Sequence, residues 1–156
     1  MKGHRDSLCP FHLRLVNRIG ECLIMSNTTQ SKEMELVIKI AHEVRTALEE
    51  KYEWLGGRCI EASDTIVDRL TVHGIKGKAV EGWCVYDFFE TCTNRPYDEH
   101  TWVEATIEGK IVCIDITATQ FEPYIDAFIP KVIIGEKPYF LQHTEPDEAQ
   151  LDEMGW

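Results

Sequence analysis

Cys59, His100 and Asp115 are the residues whose types and order could do chemistry together in this chain. Cys59 stands in Gly56-Gly57-Arg58-Cys59-Ile60-Glu61, where a helix is predicted to begin just after a glycine pair. His100 opens His100-Thr101-Trp102-Val103-Glu104, and Asp115 follows fifteen residues later in Ile114-Asp115-Ile116-Thr117. An ordinary cysteine has a pKa near ~8.5 and is mostly thiol at neutral pH. A helix N-terminus stabilises the thiolate, and an imidazolium neighbour does so more strongly. An aspartate that accepts from one ring nitrogen aims the other at sulfur. Cys59 is therefore the candidate nucleophile, His100 the candidate base and then acid, and Asp115 the candidate orienting group. The Cys59 N–H, unpaired at a helix start, is a candidate oxyanion donor. Tyr52, Trp54 and Trp102 are candidate oxyanion or substrate-binding neighbours.

Other residues compete for these roles. His4, His12, His42, His73 and His143 are the remaining histidines. His42 falls near the apolar stripe of a predicted helix, and His73 at a helix C-terminus, where a cation suits the dipole. The six cysteines are Cys9, Cys22, Cys59, Cys84, Cys92 and Cys113, and no C-x-x-C pair occurs among them. A zinc ribbon or thioredoxin-type site is not expected from such spacing. An even count permits three disulfides, but no signal-peptide pattern opens the chain, so reduced thiols in a cytoplasmic setting are expected. No metal and no cofactor is implied.

The elements that must position these residues follow from periodicity. Residues 31–55 read as the strongest helix, with Val37, Ile40, Ala41, Val44, Leu48, Tyr52 and Leu55 on one stripe. Ser31 is its expected cap and Gly56-Gly57 its expected stop. A second helix is predicted from Cys59 to Val72, with Ile60, Ser63, Ile66, Val67 and Leu70 facing one way. Strands are predicted over 78–86, 100–107, 110–116 and 128–135, with a loop over 87–99. Helices followed by antiparallel strands give an α+β fold, with N-terminal helices packed on the sheet. Glu108-Gly109 is a plausible two-residue hairpin turn. Ile107 then pairs with Lys110, Trp102 faces Asp115, and His100 lies one diagonal step away, ~7–8 Å at the backbone. A slip of one residue would separate His100 and Asp115 onto opposite faces.

Composition bounds the possible functions. The 156 residues, 44% hydrophobic, suit one domain with a real core. A net charge of −11 disfavours nucleic acid and anionic membranes as partners. No apolar run approaches the ~18 residues of a bilayer span. Residues 1–24 carry +2 against −13 for the remainder, and read either as an N-terminal extension before Met25 or as a helix of the domain. Residues 25–144 are the expected catalytic domain, and residues 145–156, with five acids and no base, read as a solvated acidic tail.

Two segments resemble known families. The His100-Thr101-Trp102-Val103-Glu104 strand, the glycine hairpin and Ile114-Asp115-Ile116-Thr117 look like the H-x-W-x-E and D-x-T strands of transglutaminase-like proteins. Gly56-Gly57-Arg58-Cys59-Ile60-Glu61 is similar to the R-G-G-x-C-x-E nucleophile segment of arylamine N-acetyltransferases. Both families belong to the papain-like cysteine superfamily, and the resemblance covers roughly residues 54–121. It implies a papain-like or transglutaminase-like core with a Cys59-His100-Asp115 triad. Leu55 stands where the acetyltransferases have arginine, and no tryptophan follows Cys59 as it often does in transglutaminases. The chain is also short for a complete arylamine acetyltransferase. The expected activity is amide hydrolysis through a Cys59 thioester, of protease or glutamine deamidase/transglutaminase type, on a protein or peptide amide. A small N-acyltransferase is the alternative enzyme, and a non-catalytic binding domain on the same fold is the alternative outside enzymes.

Overall fold

The computed structural model describes residues 31–87 and 96–155. The expectations for residues 1–24, for Cys9, Cys22 and Cys92, for His4 and His12, and for 88–95 lie outside the described residues.

The first helix, α1, spans Lys32–Lys51. The Ser31 hydroxyl accepts from the Met34 N–H at 3.2 Å, and Glu33 and Glu35 sit in the positive first turn. Val37, Ile40, Ala41, Val44 and Leu48 are buried along it. The helix stops before the glycine pair, because Tyr52 turns extended. The Tyr52 hydroxyl is held by Glu61, and its ring lies under the Arg58 guanidinium. Leu55 still reaches the core, from the segment after α1 rather than from a helix.

The second helix, α2, spans Cys59–Val72, as the periodicity predicts. Ala62, Ser63, Ile66 and Leu70 form its buried face. Ile60, expected on that face, is exposed, and Ala62 packs inward in its place.

Five strands follow: β1 Gly77–Val85, β2 Tyr97–Ile107, β3 Lys110–Asp115, β4 Ile133–Gly135 and β5 Leu141–Gln142. They form one antiparallel sheet in the order β4-β3-β2-β1-β5. The fold is α+β. The predicted loop over 87–99 gives up its last three residues to β2. Tyr97, Asp98 and Glu99 read as polar loop, yet they pair with Val85, Cys84 and Trp83 of β1. The β2–β3 register is the expected one, with Ile107 opposite Lys110 and Val103 opposite Ile114.

The sheet separates two apolar clusters, and the period-two alternation decides which residue joins which. Val103, Ala105, Ile107, Val112 and Ile114 pack with α1 and α2. Trp102 and Cys113 pack with Phe121, Ile125 and Ile129 from the segment after β3. That segment begins with a short 3-10 helix, Ala118–Tyr124, which the sequence patterns do not predict. The acidic end carries a third helix, α3 Glu148–Glu153, with no buried residue. It is tied back by Gln150 Nε2, which donates to Gln142 Oε1 at 3.0 Å. Among the described residues no helix is long and apolar enough to cross a membrane.

Gly82 is a point of close approach in β1. A methyl group there would sit 2.3 Å from the Gln142 carbonyl oxygen of β5 and 2.4 Å from the Trp102 ring. Neither neighbour can move without disturbing a strand or the core. Gly82→Ala is therefore expected to cost about 1–3 kcal/mol, the usual range for overpacking. Urea unfolding of the variant checks this, and an unchanged midpoint would show that β5 yields freely.

Candidate active site

Three elements meet around Cys59: the start of α2, the middle of β2 and the end of β3. Cys59 is the first residue of α2 and is half-buried. Its N-cap is Arg58, whose side chain makes no capping hydrogen bond. The N–H groups of that first turn therefore have no side-chain cap. Ser63, one turn on, donates its hydroxyl to the Thr101 carbonyl at 3.3 Å, pinning α2 to β2 beside His100.

His100 and Asp115 are each only 2% exposed. His100 Nε2 and Asp115 Oδ2 are 2.6 Å apart. The second carboxylate oxygen accepts from the Thr117 N–H at 2.9 Å, the Ala118 N–H at 3.1 Å and the Thr117 hydroxyl at 3.3 Å. Asp115 is therefore fixed at both oxygens. The Phe121 ring meets the His100 imidazole edge-on at 4.9 Å between centroids. With Nε2 committed to Asp115, Nδ1 is the ring nitrogen left without a hydrogen-bond partner.

The electrostatics favour an ion pair across the site. Burial opposes charge on His100, but Asp115, aided by the Cys59 thiol, pushes its pKa up to about 9. Burial would likewise raise Asp115, yet the His100 charge and the Thr117 donors hold it below its ordinary value. Burial also raises Cys59, and here the neighbouring His100 imidazole and Thr101 win, bringing the thiol below its ordinary value. Cys84 and Cys113 go the other way: burial first, and then the Asp115 charge, push both thiols up.

Cys59 opens onto a groove of about 420 Å³, lined also by Gly82, Trp83, His100 and Thr101. The exposed Glu81 and Glu99 line it as well. The aromatic candidates lie elsewhere. Trp54 is 71% exposed and, with Tyr52, lines a separate cavity of about 370 Å³. The Tyr52 hydroxyl is already bonded to Glu61 at 2.9 Å. Trp102 is 0% exposed and belongs to the second core, under Gly82. None of the three walls the groove of Cys59. Trp83 does so, and only its place on an alternating strand marked it in the sequence. Of the competing histidines, His42 is exposed, His73 caps the C-terminus of α2, and His143 lies 2.6 Å from Glu104 Oε1. Among the described residues no three His, Cys, Asp or Glu side chains converge as metal ligands do.

Supporting residues that sequence patterns left unassigned are Thr101, Gln120 and Arg45. Gln120 accepts from the Gly57 N–H at 3.1 Å and donates to the Thr117 carbonyl at 3.1 Å. Arg45, a buried cation on α1, donates to the Ile116 carbonyl and to the Thr119 hydroxyl at 3.2 Å. Arg45 carried one legible signal, since it falls on the apolar side of α1 between Ala41 and Leu48. Comparison of the chain with protein-family models, curated proteins and solved structures finds no match.

Two outcomes follow from the pKa directions. Because the Cys59 thiol is lowered, its thiolate persists as pH falls below the ordinary cysteine range. Iodoacetamide at pH 7 is expected to label Cys59 roughly tenfold or more faster than Cys84 or Cys113, with His100→Ala moving the midpoint of the pH–rate curve upward. Peptide mapping reads the order, and prior labelling of a buried cysteine would contradict it. Asp115→Ala leaves a buried imidazole without its counterion and is expected to cost about 3–5 kcal/mol at pH 6. His100 has a raised folded pKa, so its charged form contributes stability below the ordinary ~6.5 and loses it as pH rises through about 9. The gap between wild type and variant in urea melts should narrow across that window.

Proposed function

We propose that the protein is a cysteine-nucleophile enzyme with a papain-like or transglutaminase-like core, acting on a protein or peptide amide. The observation that carries this reading is the half-buried Cys59 at an uncapped helix start, facing a histidine whose far nitrogen is 2.6 Å from a buried carboxylate. Such an arrangement makes a thiolate–imidazolium pair, which is the attacking form of cysteine. The Cys59 thiolate adds to the amide carbonyl, and the Cys59 N–H supports the oxyanion. His100 passes its proton to the leaving nitrogen as the C–N bond breaks, leaving a thioester and a free amine. Water then adds to the thioester and gives one proton to His100. The C–S bond breaks, returning the thiolate and a carboxylic acid. Asp115 orients His100 throughout and gains no proton.

Hydrolysis ranks above transfer to an amine because water is always present. A small N-acyltransferase would use the same thioester with an amine acceptor. A reduced nucleophile also fits a cytoplasmic setting, and Cys59, Cys84 and Cys113 are free thiols.

Incubation with glutamine- or peptide-amide substrates is expected to release ammonia or a new terminus, and Cys59→Ala to stop it. With acetyl-CoA alone, intact-mass measurement should show little acetylated protein. One acetyl group per Cys59 would instead favour the acyltransferase. The three residues should act as a unit, so losses are strongly non-additive. Once Cys59 is replaced, His100→Ala should lower the residual rate little further. Losses that multiply would give His100 a separate role in binding substrate.

A further inference from the structure

The groove in front of Cys59 has a charge of its own. Glu81 pairs with Thr101 across β1 and β2, and Trp83 pairs with Glu99, so the two carboxylates flank the Gly82–His100 pair from either side. Both are exposed and both line the groove. None of the described residues that line the groove is a lysine or arginine. Among the described residues neither carboxylate enters an ion pair, whereas Glu43, Glu49, Glu61 and Glu104 all do. Of the described residues that line the groove, His100 is the one that can carry positive charge, and Asp115 already matches it.

A further feature points to a ligand. The Trp83 indole lines the groove between the carboxylates and is held edge-on against Tyr97 at 5.3 Å. An indole fixed beside two carboxylates attracts an organic cation through its face as well as through charge. The groove thus combines an indole with two carboxylates that enter no ion pair among the described residues.

We propose that the groove selects substrates that carry an ammonium or guanidinium group next to the reacting carbonyl, with Glu81, Glu99 and Trp83 as the determinants. This rests on the assignment of Cys59 as nucleophile and adds the substrate class to it. A basic side chain flanking the amide is bound between the two carboxylates. An acidic one is repelled by them.

Charged thiol reagents test this without a known substrate. Cys59 is modified with 2-(trimethylammonium)ethyl methanethiosulfonate, which is cationic, and with the anionic 2-sulfonatoethyl reagent. The ratio of the two rates is divided by the same ratio for 2-mercaptoethanol. For the wild type at low salt the result should be about tenfold or more in favour of the cation. Glu81→Gln with Glu99→Gln should lower it by about threefold or more. Glu33→Gln with Glu35→Gln removes the same charge at the start of α1 and should leave it unchanged. A ratio equal to that of the free thiol overturns the proposal. So does an equal fall in both double variants, which would assign the effect to overall charge. Loss of reactivity of Cys59 towards neutral methyl methanethiosulfonate, down to the level of Cys84 and Cys113, is a different failure. It would remove Cys59 as nucleophile, and the substrate class with it.

Discussion

The two-residue turn at Glu108-Gly109 sets the register on which the rest of the site depends. Both residues have positive φ, 51° and 78°. That is the mirror-image turn whose twist matches the twist of paired strands. Glycine adopts it freely, but a glutamate in the left-handed region costs about 1–2 kcal/mol. The strain at Glu108 is offset by pairing on both sides of it. A turn one residue longer would shift β3 against β2 and carry Asp115 to the other face. His100 would then be a buried imidazole with no counterion. Instead the turn places the two side chains one diagonal step apart, and the 2.6 Å contact closes the remaining distance.

Burial then turns this contact into chemistry. The largest influence on each of the three groups is desolvation, and it opposes charge on every one of them. Isolated in that environment, each would be neutral. Together they are not, because a pair of opposite charges interacts far more strongly at low dielectric than in water. Asp115 is held charged first by His100 and then by the donors of the turn that follows β3. Its charge supports the imidazolium, and the imidazolium supports the thiolate. Cys84 and Cys113 feel the same Asp115 charge without an intervening cation, and both thiols are pushed up. What distinguishes Cys59 is therefore its lesser burial together with its His100 neighbour.

Much of this was legible in the sequence because it rests on local rules. The boundaries of α2 follow from apolar period and from Gly74, and the β2–β3 register follows from one turn dipeptide. The order Cys59, His100, Asp115 was readable for the same reason, since each residue sits at the end or middle of a regular element. What was not legible depends on partners far along the chain. Tyr97, Asp98 and Glu99 have loop-like composition, and only β1 beside them makes them a strand. Helix α1 ends at Lys51 although its apolar stripe continues, because Tyr52 finds Glu61 and Arg58 in the next helix. Trp54 and Trp102 were plausible near the thiol by sequence distance alone. One is in solvent and the other beneath Gly82, while Trp83, with no mark of its own, walls the groove.

The thiol and the ion pair belong to different elements, and apolar packing alone holds elements together without fixing them to a few tenths of an ångström. Burial is non-directional, so α2 could slide against β2 at little cost in buried area. Hydrogen bonds have preferred lengths and angles, and they remove that freedom. Three such ties converge here. Ser63 binds α2 to the Thr101 carbonyl, beside His100. Gln120 reaches in two directions, taking the Gly57 N–H ahead of Cys59 and giving to the Thr117 carbonyl beyond Asp115. Arg45 anchors the Ile116 carbonyl to α1 from the other side. The short helix after β3 thus supplies the donors to Asp115, the ring against His100 and the link to the loop of Cys59. No sequence pattern predicts it, yet through it the two halves of the site share one geometry.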